Sequence, residues 1–253
     1  MAAGTVRDVG RTDAIRAAAG AGFRAVGLRF DIEPPGPVEL RELPRLLDAE
    51  GCSVLDVEVV RLSPAWSEDL ERRLIDQAAA VGARHLLVVS DDPDQSRTID
   101  GLRRVSRRCR EAGLSAVLEF MRFTHPATLT EAALVAAEVG ADLGGLLVDA
   151  LHLARSGSPP TELAVHPPQL FPYAQLCDAP PTAPANDLAS LIDEARHRRL
   201  LPGQGGLPLV ELLAALPAEA PLSIEVQSDA LEQTLDAGER ALRCRAAAMA
   251  LLG

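Results

Sequence analysis

Eight short apolar runs recur along the chain, each followed by a longer stretch whose apolar residues fall at helical spacing. The runs cover residues 2–6, 24–29, 54–60, 85–90, 115–120, 144–149, 171–177 and 222–226. Helical stretches lie between them at 13–19, 37–50, 67–81, 98–112, 129–139, 187–198 and 208–216, and a last one at 233–252 closes the series. This alternation of periods predicts repeated βα units with a parallel sheet. Glycines end several of the helical stretches just before the next strand, at Gly22, Gly51, Gly82 and Gly113, where a left-handed cap fits a tight αβ loop. Eight such units in 253 residues predict an α/β fold, a single (β/α)8 TIM barrel spanning 1–253.

Composition removes whole classes of function. The formal charge of −11 repels nucleic acid and anionic membranes, so neither is expected as a partner. No apolar run approaches a membrane span and the start lacks a signal-peptide pattern, which predicts a cytoplasmic protein. Cys52, Cys109, Cys177 and Cys244 are far apart and unpaired in pattern, so reduced, mostly buried thiols are expected. Every basic residue counted is arginine. Without lysine, imine chemistry and a P-loop phosphate site are excluded, and carboxylates, imidazoles, arginines or a metal must supply the reactivity.

Four polar residues stand where apolar runs stop: Glu119 in AVLEFM, Asp149 in GLLVDALH, Gln175 in PYAQLCDAP and Glu225 in LSIEV. Their positions place them at the C-terminal rim of successive strands, pointing inward toward one spot. Three carboxylates and an amide gathered there require a positive charge, and a divalent cation with oxygen ligands is the expected one. The donor set favours manganese, magnesium or cobalt, with zinc less suited. Arg29, Arg61 and Arg199 mark the same rim and predict an anionic small-molecule substrate, with Glu58 inward on its strand to hold an arginine or a substrate hydroxyl. Two proline-rich stretches, 156–169 and 179–184, fall on that face as loops.

These motifs resemble the xylose isomerase-like TIM-barrel superfamily, which includes sugar isomerases, ketose 3-epimerases and 3-dehydroshikimate dehydratases. The resemblance implies a metal held by Glu119, Asp149, Gln175 and Glu225, with Glu119 and Glu225 also serving as catalytic base and acid. Gln175 stands where histidine is commonest, and the Glu, Asp, Gln, Glu set is similar to that of bacterial 3-dehydroshikimate dehydratases. His152, three residues after Asp149, is implied near the substrate. The PGQG segment resembles the superfamily's PGEG loop, with Gln204 in place of the acid. By the same analogy a homo-oligomer is admitted.

The expected function is that of a metal-dependent isomerase or epimerase, moving a proton through a stabilised enediolate on a hydroxylated ketone or aldehyde. If the enediolate expels a β-hydroxyl, the same site is a dehydratase, a lyase, and Gln175 with the arginines favours that alternative. A second alternative is a barrel that binds a small molecule without turning it over. The DNA-cutting branch of the superfamily needs rim histidines that this acidic chain lacks.

Overall fold

The helix starts follow local capping chemistry. Ser67, Asp94, Thr128, Asp187 and Asp236 each accept from a backbone N–H of the first turn. The glycine ends are equally local, with Gly22, Gly51, Gly82 and Gly113 all at positive φ. In the computed structural model, which describes residues 1–140, 143–185 and 187–253, these helices surround one parallel sheet. Its strands follow chain order: β1 (Ala25–Arg29), β2 (Ser53–Leu62), β3 (His85–Ser90), β4 (Ser115–Glu119), β5 (Gly145–Asp149), β6 (Ala174–Leu176) and β7 (Leu222–Ile224).

The strand expected at 2–6 is instead a 3-10 helix, Ala3–Val6. Only its first residues bridge the open edges: Gly27 N donates to the Met1 carbonyl at 2.8 Å and Ala2 N donates to that of Ile224 at 3.0 Å. Beyond them the Thr5 side chain replaces backbone pairing. Its hydroxyl donates to the Ile224 carbonyl at 2.8 Å and accepts from Val226 N at 3.2 Å. The small, unalternating Ala-Ala-Gly run gives a strand nothing to pack, so the segment curls and a threonine closes the gap.

Two apolar layers result. Val57, Val60, Leu86, Val88, Leu118 and Leu146 face the helices within the larger core, while Leu55, Val59, Leu87, Val89, Val117, Leu147 and Tyr173 form a smaller cluster of their own. Period-two alternation from Val117 reaches Glu119, from Leu147 reaches Asp149, and from Tyr173 reaches Gln175, so all three polar side chains share the inward face. The sheet is staggered: Glu119 pairs with Leu147, Asp149 with Gln175, and Gln175 with Ser223. The sequence misses two short helices, Asp229–Thr234 and Ala150–Ser156, the second of which Asp149 starts by accepting from Leu151 N and His152 N. No helix among the described residues is long and apolar enough to cross a membrane, and all four cysteines are buried and free.

Candidate active site

At the C-terminal rim the polar residues converge. Glu119 ends β4, Asp149 ends β5, Gln175 sits within β6, and Glu225 follows β7, its N–H still donating to the Leu176 carbonyl at 2.9 Å. All four are buried, with Asp149 and Gln175 only 1 % exposed. Glu225 depends on a bare neighbour, since a Cβ on Gly4 would lie 2.7 Å from Glu225 Oε1.

Arg199 is not at the outer rim, where its sequence position places it, but inside this ring at 2 % exposure. Its Nη1 donates to Asp149 Oδ2 at 2.7 Å, and its Nη2 lies 3.1 Å from Glu225 Oε2. Nε donates to the Ala195 carbonyl at 2.7 Å, and Nη2 stands 3.4 Å from His152 Nε2. The depth comes from an antiparallel bridge between Asp178 and Leu200 that pulls the segment against the sheet. Asp178 then holds the PGQG loop, accepting from Gly203 N, Gly205 N and Leu207 N at 2.9–3.0 Å. Gly205 is required there, because a Cβ would meet the Ala179 carbonyl at 2.2 Å.

The charges are unequally served. Burial raises the Asp149 carboxyl, but Arg199, His152 and the helix-start N–H bonds outweigh it and hold the group below the usual carboxylate range. Glu119 has no hydrogen bond to a described residue; His152 Nε2 stands 3.9 Å away, and the Arg199 charge only partly offsets the forces that raise its carboxyl. Burial, then Glu225 and Asp149, push its carboxyl well above the ordinary range. Glu225 is raised by burial despite Arg199. Glu58 is raised well above it by burial and then by Glu225, and its Oε1 has no partner. Burial lowers His152 to about 4, so the ring is neutral at pH 7.

The donor set suits a cation. Gln175 is buried with neither Oε1 nor Nε2 hydrogen-bonded, an amide left with nothing to satisfy it. With Glu119 and Glu225 it offers oxygens only, the chemistry a divalent ion takes. Among the described residues no three His, Cys, Asp or Glu side chains close on one point as a metal cage. Arg199 already spans Asp149 and Glu225.

A deep cavity of about 90 Å³ is lined by Glu58, Glu119, His152, Arg199 and Glu225. It shares lining residues with a cleft of about 740 Å³ beside β1. Arg29 and Arg61 line both, Arg29 bonded to Asp31 at 3.0 Å and Arg61 to Asp91 at 2.9 Å. The structure thus brings every expected site residue to these two cavities except Asp149 and Gln175, which line neither. Sequence reasoning missed Arg196, Gln227 and Phe123. Arg196 and Gln227 line both cavities, and Phe123 meets the His152 ring edge-on at 5.6 Å. Only FMRFTHP, trailing from Glu119 into a loop, signalled any of them.

A barrel with inward polar residues at the C-terminal ends of β4 to β7 defines a class, and residues 15–246 match the model of the xylose isomerase-like TIM barrel: the chain belongs to that family. The curated 3-dehydroshikimate dehydratase of Pseudomonas aeruginosa is 28 % identical over 243 residues, 85 % of this chain and 36 % of that protein. The chain therefore spans about a third of that relative's length. Among solved structures, the IolI protein with a bound zinc atom superposes with a TM-score of 0.86 at 15 % identity, covering 100 % of this chain and 96 % of that one. A xylose isomerase-like TIM barrel/4-hydroxyphenylpyruvate dioxygenase fusion protein gives 0.82 at 20 %, covering 99 % of this chain and 42 % of that one. D-psicose 3-epimerase in the presence of D-fructose gives 0.73 at 14 %, with 95 % and 92 % covered.

Proposed function

We propose that this chain is a divalent-metal-dependent enzyme that takes a proton from the carbon beside a carbonyl in a small anionic hydroxylated ketone, with dehydration as the outcome. The observation that carries the reading is that Glu119, a buried carboxylate, and Gln175, a buried amide, stand at one barrel end with no hydrogen bond to any described residue. Glu119, Asp149, Gln175 and Glu225 would hold the ion, for which manganese, magnesium or cobalt suits an all-oxygen set. When bound, such an ion polarises a carbonyl and stabilises charge developing on its oxygen.

The protein's own groups do the rest. Glu119 lines the deep cavity and accepts the proton, its basicity increased by burial. As the C–H bond breaks, its electron pair forms the new double bond and the β-hydroxyl departs. Glu225, on the same cavity, gives that hydroxyl a proton, so one water leaves and no redox partner is needed. His152, neutral, offers a hydrogen bond to a substrate oxygen, and Phe123 fixes its ring. Arg199 presents positive charge to oxygens of the reacting end from within the ring, while Arg29, Arg61 and Glu58 line the approach.

Likeness to a dehydratase over 85 % of the chain supports lyase chemistry. The isomerase or epimerase reading shares the first proton transfer and draws support from likeness to D-psicose 3-epimerase. One experiment separates them: manganese-loaded protein with 3-dehydroshikimate or with D-fructose in deuterated water, followed by proton NMR. Loss of water with new aromatic proton signals from the first supports the dehydratase; deuterium at the ketose carbon with an epimeric product supports the epimerase. No change in either substrate contradicts both.

A further inference from the structure

The pocket that holds Glu119 and Glu225 and the outer cleft share four lining residues, Arg29, Arg61, Arg196 and Gln227, so a ligand that fills the first and extends outward passes them. Three guanidiniums thus ring the neck of a protein whose formal charge is −11.

These arginines are not equally committed. Arg7 and Arg11, on the cleft wall, are held by Glu232, Asp229 and Glu39. Arg29 leans on Asp31, and the Arg61–Asp91 pair has both side chains more than a third exposed, an arrangement that an incoming anion exchanges at little cost. The Arg196 guanidinium makes no hydrogen bond or ion pair with any described residue, although its carbonyl accepts from Arg7. Beyond the neck lies a cleft of about 740 Å³, within the range that holds drug-sized ligands.

We propose that the substrate is bipartite: its reacting end enters the deep cavity, a multiply charged oxyanion group, phosphate or carboxylates, docks at the neck on Arg196 and Arg61, and an attached moiety occupies the outer cleft. This deepens the proposed function by naming the substrate class and rests on that reading for the reacting end alone. Arg196 is then the residue that selects substrates by charge, since a planar fork meets an oxyanion in two hydrogen bonds.

The test uses metal-stripped protein, so that a failure of the metal chemistry leaves it intact. Pyrophosphate and tricarballylate are titrated separately by calorimetry into the wild type, Arg196→Ala, the double variant Arg196→Ala/Arg61→Ala, and Arg84→Ala, an exposed arginine at the start of β3. One site for at least one anion, weakened about tenfold by the double variant and less by Arg196→Ala, with Arg84→Ala unchanged, is the expected result. Which of the two binds tells phosphate from carboxylate. Absence of saturable binding of either below about 10 mM, or equal weakening by Arg84→Ala, overturns the proposal.

Discussion

Glu71 and Glu119 are both buried glutamates, and they live in opposite conditions. Glu71, 0 % exposed on the helix Glu68–Ala80, is gripped from the helix Gln95–Glu111 by Arg104 at 2.9 Å and Arg108 at 2.5 Å. Glu119, at the mouth of the barrel, has no hydrogen bond to a described residue, and burial together with the carboxylates of Glu225, Asp149 and Glu58 raises its pKa. The first carboxylate is a joint between helices, satisfied by the fold. The second is a cost the fold carries, and such a cost persists where function needs the group.

The sharpest way to break the comparison is at Glu119. Glu119→Gln keeps the shape and removes the proposed base, and turnover of whichever substrate NMR identifies should fall by about 10²- to 10⁴-fold. In the same variant, stripped of metal, relief of like-charge crowding should hold or raise the melting temperature; an upward shift of about 2–4 °C corresponds to about 1 kcal/mol. Glu71→Gln should invert both results. Losing the joint strands two partly exposed arginines and costs about 2–3 kcal/mol in urea unfolding, at the low end for a broken buried pair, while the turnover number stays within about twofold. Were Glu71→Gln to damage catalysis as much as Glu119→Gln, the division between joint and site would fail.

A smaller effect separates the inner layers of the barrel. His85 opens β3 and stacks on Tyr173 at 5.0 Å, its Nδ1 unbonded, and burial followed by the Arg84 charge lowers it to about 4. The unfolded chain takes up a proton at this residue near pH 6.5, the folded chain only near 4, so the histidine subtracts stability as pH falls between those values. His85→Phe keeps the stack and removes that loss. Chemical denaturation at pH 7 and at pH 4.5 should show the variant gaining on the wild type at the lower pH; identical differences at both would show the ring to be solvated. The smallest effect is at Arg61, whose exposed pair with Asp91 contributes under about 1 kcal/mol, so Arg61→Ala should leave the melting temperature nearly unchanged.

Legibility in the sequence followed range of interaction. The strand at 85–90 and the helices at 37–50 and 129–139 coincide with the structure because their periodicity, caps and glycines are local. The first strand fails because only long-range bonds from Met1, Ala2 and Thr5 decide that segment. Asp149 reads as an inward carboxylate but not as the start of Ala150–Ser156, since one side chain does both tasks. Within the site, residue types and strand ends were readable from apolar runs that stop. The depth of Arg199 was not, for it depends on the bridge between Asp178 and Leu200 and on where a proline-rich loop folds back. Arg196 carries no signal at all until two cavities are seen to share it.

We propose that the carboxylates and amide at the barrel mouth hold a divalent ion, and calorimetric titration of chelator-stripped protein with manganese, alongside Glu225→Ala, tests this. One ion per chain is expected, with binding abolished by the substitution; no binding to the wild type, or equal binding to both, would contradict it.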